Sequence, residues 1–424
     1  MVSLAKAEGL ADYRLFRLRE TLAYLAEHSP YYGKFLQRLD ADGADPDSVL
    51  RGLPPMSSTE WGANRASIRT GPVTGAAIGY TSGTTVRVAT PILSSPRELQ
   101  MLGTVTPQET AQAGMALALI NPNSHGAAAM AGYGENVVVH TLNSPSNYEQ
   151  VMRLLEGRSE PFASMPRITQ IESSVFRVKS LSLYLLRHRG KVDDLGIRQI
   201  FVGRNLLSPR WRSRLENWWG AAVTPVYGFS EMRICNASEC RYCGYYHLPV
   251  TGLAEVLSGE PDGKRVPPGA RGLLAVTGFY PFIQLEPRIR YLPGDVAEFA
   301  PSTCPRWGEH GFRPLGRRTD SAQSSDGTWV CPADVHKVLG DHPDVNRTSP
   351  DSERSRDPLF DESNSPRFKL ESGDPVKLHI ELRFMTRIWA SEWSALRNSI
   401  RCQIPAGIQL VAHEPGGIEA PATC

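Results

Sequence analysis

Residues 227–247 have the sequence YGFSEMRICNASECRYCGYYH, and the rest of the chain is interpreted outward from this stretch. It opens on an aromatic–Gly–x–Ser–Glu turn, which is typical of a loop at a nucleotide site. Four candidate metal ligands follow within thirteen positions: Cys235, Cys240, Cys243 and His247. Cys-x2-Cys lets both thiolates reach one ion, and a nearby histidine can complete a tetrahedron. The stretch predicts a closed structural zinc site, with four unligated loop residues as the alternative and Cys304 as an alternative ligand.

Composition excludes several classes of protein. The 424 residues favour one large domain plus a smaller one, and 41% hydrophobic with 21% charged residues is typical of a globular chain. A net charge of +2 gives no basic field, so we expect no nucleic-acid partner. No run reaches the ~18 apolar residues of a membrane span. The N-terminus lacks the apolar core of a secretory signal peptide, and the clustered cysteines indicate a reducing compartment. We therefore expect a cytoplasmic protein.

Short apolar runs alternate with helical patterns over the middle of the chain. The runs typical of buried parallel strands are 115–121, 136–140, 199–203 and 223–226, and the helical patterns are 147–157, 173–188 and 208–219. This alternation predicts an α/β sheet with helices on both faces. The last of these strands then delivers Tyr227 and Glu231 to the carboxyl edge of the sheet, where ligands of such folds bind.

The two ends of the chain carry different patterns. Residues 13–40 predict an amphipathic helix, a break at Ser29-Pro30 and a second short helix. From residue 250 onward the sequence predicts a β-rich subdomain, with strands at 253–257, 272–277 and 295–299, and then a helix at 333–339 and a strand at 376–384. Residues 344–374 are rich in Ser, Asp, Arg and Pro, which predicts a long loop.

A polar loop follows a predicted strand at 75–80, and its residues are Thr81, Ser82, Gly83, Thr84 and Thr85. Backbone N–H groups and hydroxyls in such a loop can wrap around phosphate oxygens. Taken alone, the same residues fit an ordinary polar β-turn equally well.

In their order along the chain, these motifs resemble the adenylate-forming (acyl-CoA synthetase/ligase) superfamily, most closely its phenylacetate–CoA ligase branch. The matching pieces are 80–85, 227–231, 290–295 (RYLPGD) and 316–320 (GRRTD). The resemblance implies an α/β fold in two parts. Residues 1–317 would form a large domain with mixed β-sheets, flanking helices and a β-rich subdomain, and residues 318–424 a small, mobile α+β domain.

The resemblance also implies roles for the residues of the nucleotide motifs. Tyr227, followed by Gly228, would lie against the adenine ring. Asp295 would accept hydrogen bonds from the two ribose hydroxyls, since a carboxylate has two acceptor oxygens. Glu231 would hold Mg2+ between phosphates. Without the other motifs, each of these residues would be assigned to ordinary packing, a turn or a helix cap.

Further residues receive a role in the same way. Thr81 would act in catalysis and Ser82, Gly83, Thr84 and Thr85 would bind phosphate. Arg317 would reach the nucleotide from the joint between the domains. His125 falls where the superfamily lines its acyl pocket, although a lone loop histidine is more often a surface residue.

The chemistry implied by the resemblance has two steps. ATP would activate an aromatic or other small carboxylic acid as an acyl-adenylate, and the acyl group would then pass to CoA, a carrier-protein thiol or an amine while AMP leaves. The implied cofactors are ATP/AMP, Mg2+ and a structural Zn2+, with CoA as one of the acceptors. Assembly as a homodimer stays open.

Two departures from the superfamily pattern keep other functions open. Val86 stands where the phosphate loop usually has Gly, and β-branched Val disfavours the positive φ that Gly allows. The tail HEPGGIEAPATC resembles the run ahead of the superfamily's catalytic Lys, yet the last lysines are Lys337, Lys369 and Lys377. A diverged homologue acting on a preactivated acyl substrate and a non-catalytic binding protein are therefore the alternative hypotheses.

Overall fold

A computed structural model of the chain describes the following residues: 9–38, 45–81, 90–105, 115–120, 137–142, 145–157, 166–259, 263–339, 345, 347–348, 365–382, 394–395, 398, 408–413 and 417–418. The chain divides into two compact units. The first contains residues 1–113, 121–139 and 226–313, and the second contains residues 114–120, 140–225 and 314–424. Within the described residues, no helix has both the length and the apolar character needed to cross a bilayer.

The helices and strands alternate through the middle of the chain, and strands predominate after residue 236, although the α-helix Pro332–Leu339 also lies there. The helices are α1 (Leu10–His28), α2 (Pro30–Arg38), α3 (Pro46–Gly52), α4 (Ser58–Ile68), α5 (Pro96–Val105), α6 (Pro145–Glu156), α7 (Val175–Arg189), α8 (Pro209–Trp219) and α9 (Pro332–Leu339). The strands are β1 (Met56–Ser57), β2 (Ala77–Tyr80), β3 (Pro91–Ser94), β4 (Met115–Ile120), β5 (Val137–Thr141), β6 (Ile168–Ser174), β7 (Gln199–Gly203), β8 (Ala222–Tyr227), β9 (Ala237–Glu239), β10 (Tyr246–His247), β11 (Gly252–Leu257), β12 (Arg271–Gly278), β13 (Tyr291–Leu292), β14 (Asp295–Thr303), β15 (His310–Arg317), β16 (Ala322–Gln323), β17 (Trp329–Val330), β18 (Arg347–Thr348), β19 (Ser365–Pro366), β20 (Phe368–Glu371), β21 (Val376–Glu381) and β22 (Ile408–His413).

The first unit begins with the helix pair that the sequence predicts. Leu18, Leu22 and Leu25 lie on one face of α1 and are buried, as expected of an amphipathic helix. The helix ends where Ser29 adopts an extended backbone, and α2 starts directly at Pro30. Proline is tolerated in the first turn of a helix because its missing N–H would have no intrahelical partner there. The predicted break is therefore confirmed.

The β-rich part of the first unit is a sheet in the order β1-β13-β12-β14-β15-β10-β9, with β11 along the other edge of β12. Its register pairs Val276 with Tyr291, and Leu273 with Val296. The backbone positions of Tyr291 and of Asp295, the first residue of β14, follow from this register. The β-rich subdomain predicted from residue 250 onward is confirmed.

The second unit contains parallel strands in the order β4, β6, β7 and β8. The predicted strands and helices of this region are confirmed, but β6 was missed because Thr169, Gln170 and Glu172 interrupt its apolar residues Ile168 and Ile171. Ser174 ends this strand and caps α7, since its side chain accepts a hydrogen bond from the N–H of Arg177. The helical pattern at 173–188 therefore begins two residues later than predicted.

The C-terminal part of the second unit packs α9 and the sheet β20-β21-β22 around one apolar cluster. The expectation of a loop over 344–374 is wrong where β18 pairs with β19, and at its end, where β20 pairs with β21. Phe368 and Leu370 are buried while Lys369 and Glu371 are exposed, a two-residue period that the surrounding polar sequence obscured. A domain boundary between residues 317 and 318 stays a prediction.

Candidate functional site

Tyr227 and Asp295 are direct neighbours in the first unit, although 68 positions separate them in the sequence. Tyr227 ends β8 and pairs with Ala237 on β9. Its hydroxyl donates to Oδ2 of Asp295 at 2.6 Å. Asp295 is only 8% exposed, and the edge of Phe312 faces the tyrosine ring at 5.7 Å between centroids. The structure thus brings together the residues that the resemblance assigns to adenine and to ribose.

Glu231 lies in the 3-10 helix Ser230–Cys235 that follows the aromatic–Gly–x–Ser–Glu turn. Its Oε1 accepts a hydrogen bond from the hydroxyl of Tyr291 at 3.3 Å. Tyr291 is buried, and its ring stacks on Phe229 with centroids 6.0 Å apart. Sequence reasoning assigned no role to Tyr291, yet it orients the carboxylate that the resemblance assigns to Mg2+. The signal was its position between Arg290 and Asp295 in the RYLPGD motif.

Gly228 is required by a close approach of another side chain. A Cβ atom at this position would lie 2.0 Å from Oδ1 of Asn236. The glycine in the turn therefore allows Asn236 to lie against the backbone between Tyr227 and Phe229.

Thr81 is the last described residue before the predicted phosphate loop. Its N–H donates to the carbonyl oxygen of Thr90 at 3.0 Å, and its Oγ1 accepts from the N–H of Thr90 at 2.9 Å. These bonds continue the β2–β3 hairpin by one residue pair beyond Tyr80 and Pro91. The other loop residues, Ser82, Gly83, Thr84 and Thr85, and also His125 lie outside the described residues.

Arg317 ends β15 and belongs to the second unit. Its carbonyl oxygen accepts a hydrogen bond from the hydroxyl of Ser321 at 2.7 Å. The role that the resemblance gives to its guanidinium stays a prediction.

A second cluster in the first unit has the composition of a metal centre. The ligand atoms of Cys240, Cys243, His247 and Cys304 all lie within 4.8 Å of one another. Sγ of Cys240 lies 3.7 Å from Sγ of Cys304, and Sγ of Cys243 lies 3.2 Å from Nε2 of His247. Zn–S bonds of about 2.3 Å in a tetrahedron place two sulfurs about 3.8 Å apart. The four side chains therefore fit one zinc ion.

The three cysteines lie on two turns of the same construction, and His247 lies on β10. In each turn a cysteine exchanges backbone hydrogen bonds with residues four and five positions later, and the fourth residue is a glycine with φ near +70°: Gly244 after Cys240, and Gly308 after Cys304. Glycine adopts this left-handed conformation without the steric cost of a Cβ. The shared Cys-x3-Gly pattern was the signal that could have placed Cys304 in the cluster from the sequence.

The structure does not bring Cys235 into this cluster, and Cys304 stands in its place. Cys235 ends the 3-10 helix, is 1% exposed, and its thiol lies 3.7 Å from the carbonyl oxygen of Thr251. Burial raises the pKa of Cys235 to about 12, so its thiol stays protonated. The dense cysteine spacing misled the prediction because a helix of 3-10 geometry turns this side chain into the apolar core.

The thiols of the cluster differ in their electrostatic environment. Burial raises the pKa of Cys243 to about 12, with a contribution from its hydrogen bond to Cys304. Burial also acts on Cys304, but backbone N–H groups of Trp307 and Arg306, together with the neighbouring thiols, outweigh it and lower its pKa. Backbone donors thus favour the thiolate of Cys304, which is the form that binds a metal.

Comparison with known proteins identifies the fold. No protein-family model and no curated protein matches the sequence. Among solved structures, an open conformation of 2-hydroxyisobutyryl-CoA ligase in complex with 2-HIB-AMP and CoA is similar, with a TM-score of 0.65, 15% identity, and coverage of 96% of this chain and 88% of that one.

Two further structures show the same likeness. ATP-bound MatB from Rhodopseudomonas palustris has a TM-score of 0.54 and 16% identity over 81% of this chain and 65% of that one. O-succinylbenzoate coenzyme A synthetase (MenE) from Bacillus subtilis, in complex with ATP and magnesium, has a TM-score of 0.53 and 18% identity over 79% of this chain and 66% of that one. The chain therefore has the fold of the adenylate-forming acyl-CoA ligases.

Proposed function

We propose that this protein activates a small carboxylic acid with Mg-ATP as an acyl-adenylate and transfers the acyl group to the thiol of CoA. The observation that carries the proposal is the 2.6 Å hydrogen bond between Tyr227 and Asp295. Within the adenylate-forming fold, this bond joins the residues expected to contact adenine and ribose. The bound molecules of the similar structures, an acyl-AMP with CoA and ATP with magnesium, lend support to the same chemistry.

Each residue of the site has a task in the proposed first step. The tyrosine ring of Tyr227 packs against adenine, and Asp295 accepts the ribose hydroxyls. Glu231, held by the hydroxyl of Tyr291, would provide carboxylate oxygens for Mg2+, which when bound would neutralise charge on the phosphates. The substrate carboxylate attacks the α-phosphorus, a P–O bond forms, and the bond to pyrophosphate breaks with that group leaving.

In the second step the sulfur of CoA attacks the acyl carbon of the adenylate. A C–S bond forms, the C–O bond to AMP breaks, and the thiol proton leaves to solvent. The protein supplies orientation in both steps, because neither step needs a covalent bond to the enzyme. Aromatic acids are the first substrates to test, since the sequence resembles the phenylacetate–CoA ligase branch most closely.

Pyrophosphate release is the direct test. The protein is incubated with Mg-ATP and a panel of benzoic, arylacetic and short hydroxy acids, with and without CoA. We expect release with at least one acid and formation of AMP and an acyl-CoA when CoA is present. Asp295→Asn should reduce the rate at least tenfold, since it removes the charge that receives the ribose hydroxyls. Glu298→Gln makes the same chemical change three residues further along β14 and should retain activity.

The outcomes separate the competing functions. Absence of pyrophosphate release with every acid, together with absence of ATP binding by calorimetry, refutes the proposal and favours a binding protein. Turnover of a preactivated acyl thioester that persists without ATP favours a diverged acyltransferase.

We also propose that Cys240, Cys243, His247 and Cys304 bind a structural zinc ion. Four protein ligands complete the usual coordination of such a site. When bound, the ion would join the turn after β9 to the turn after β14. Zinc content measured by mass spectrometry should be about one per chain. Cys304→Ser should lose the zinc and Cys235→Ser should keep it; the opposite result would restore Cys235 as a ligand.

A further inference from the structure

His247 presents its two ring nitrogens to different partners. Nε2 faces the thiol of Cys243 at 3.2 Å, whereas Nδ1 lies 3.4 Å from Oε1 of Glu309. The side chain of His247 is fully buried, so water cannot replace either partner. A neutral imidazole that binds a metal through one nitrogen carries its proton on the other. Glu309 is the group that accepts this proton in a hydrogen bond.

A third residue fixes the position of Glu309. Nη1 of Arg14, on helix α1, donates to Oε2 of Glu309, and Nη2 of Arg14 donates to the carbonyl oxygen of Leu248 at 2.8 Å. Arg14 and Glu309 are 13% and 24% exposed. One carboxylate oxygen therefore faces the histidine and the other faces the arginine. The ion pair connects the N-terminal helix to the turn that carries Cys304.

The orientation of the imidazole is restricted from a second side. The ring of Trp307 stacks on that of His247 with centroids 5.1 Å apart and planes 4° from parallel. Partial rotation of the imidazole about its Cβ–Cγ bond would tilt it out of this stack, and a half-turn would move Nδ1 away from Glu309. The ring is thus held with Nε2 toward the cluster before any ion binds.

We propose that Glu309 and Arg14 are positioning residues of the metal centre, and that zinc binding and the docking of α1 stabilise each other through them. This inference rests on the proposed zinc site. Carboxylates that orient a metal-bound histidine typically change metal affinity 10–100-fold when they are removed. Coupling between two binding events is reciprocal, so a helix that strengthens zinc binding is itself held by zinc.

The test is competition for zinc between the full-length protein and a chromogenic chelator. Glu309→Gln should weaken zinc binding about 10–100-fold. Arg14→Met should weaken it less, and the double variant should match Glu309→Gln, because the arginine acts through the glutamate. Arg17→Met is the matched control, since Arg17 lies one turn further along α1 and its Nε bonds to Tyr13 instead. This control should bind zinc as tightly as the wild type.

Hydrogen exchange adds a readout that does not depend on activity. Chelation of zinc should speed amide exchange in α1 of the wild type and have little further effect in Glu309→Gln. Equal zinc affinity of Glu309→Gln and the wild type, or unchanged exchange in α1 on chelation, would overturn the coupling while leaving the zinc site intact. A wild-type protein that binds no zinc would overturn the zinc site itself, whereas neither result bears on adenylate formation.

Discussion

Replacement of Tyr227 by Phe tests the contact on which the proposed nucleotide site depends. The change keeps the aromatic ring and removes only the hydroxyl that donates to Asp295 at 2.6 Å. The ring that we propose packs against adenine is therefore retained, and the loss of one hydrogen bond is isolated. Replacement by Ala would remove both contributions and could not separate them.

The expected magnitude follows from the burial and charge of the pair. A hydrogen bond to a charged group typically contributes about 1.5–3 kcal/mol, and Asp295 is nearly shut off from the water that could replace the tyrosine. We therefore expect the free energy of unfolding of Tyr227→Phe to fall by about 2 kcal/mol. The carboxylate must then be ordered when the nucleotide binds, which costs about 1 kcal/mol, or roughly fivefold in Kd for AMP.

Urea denaturation and calorimetric titration with AMP measure these two quantities. Tyr242→Phe is the control, because Tyr242 is 57% exposed and its hydroxyl accepts only a surface hydrogen bond from Arg241 among the described contacts. If Tyr227→Phe is as stable as this control and binds AMP as tightly as the wild type, the hydrogen bond does not order the Asp295 carboxylate. The argument from the Tyr227–Asp295 contact then fails.

Three more predictions concern the turn, the zinc ion and the C-terminal sheet. Gly228→Ala should lower the free energy of unfolding by about 1–3 kcal/mol in urea denaturation, because its Cβ meets Asn236. Adding Asn236→Ala should restore stability, and Gly259→Ala, with open space around it, should be neutral. Removal of zinc by a chelator should lower the urea midpoint, and added zinc should restore it; an unchanged midpoint would contradict a structural ion. Burial, and then the neighbouring His413, lower the pKa of His379 from 6.5, so the unfolded chain binds more protons near that pH. Stability should therefore fall as the pH is lowered through 6.5, as followed by hydrogen exchange in β22, and His379→Gln should flatten this dependence.

Local patterns determined much of the architecture. The stripe of Leu18, Leu22 and Leu25 predicts α1, and Pro30 predicts where it ends, because both signals act within a few residues of chain. Three strands of the parallel sheet, β4, β7 and β8, were predictable from apolar runs for the same reason. β6 escaped prediction because Thr169, Gln170 and Glu172 interrupt its apolar residues. β20 escaped because the polar sequence around it obscures a two-residue period that its pairing with β21 makes visible.

The sequence by itself also predicted two kinds of candidate site, a nucleotide site and a metal centre. The order of the short motifs predicted the adenylate-forming fold, and the spacing from Cys235 to His247 predicted a metal centre, since these residues are close along the chain. Only the tertiary structure decided which partners complete each site. Tyr227 and Asp295 are 68 positions apart, and Cys240 and Cys304 are 64 apart. Such pairs are joined by the register of β8, β9, β10, β14 and β15, and register depends on side-chain packing across strands, which no local pattern contains.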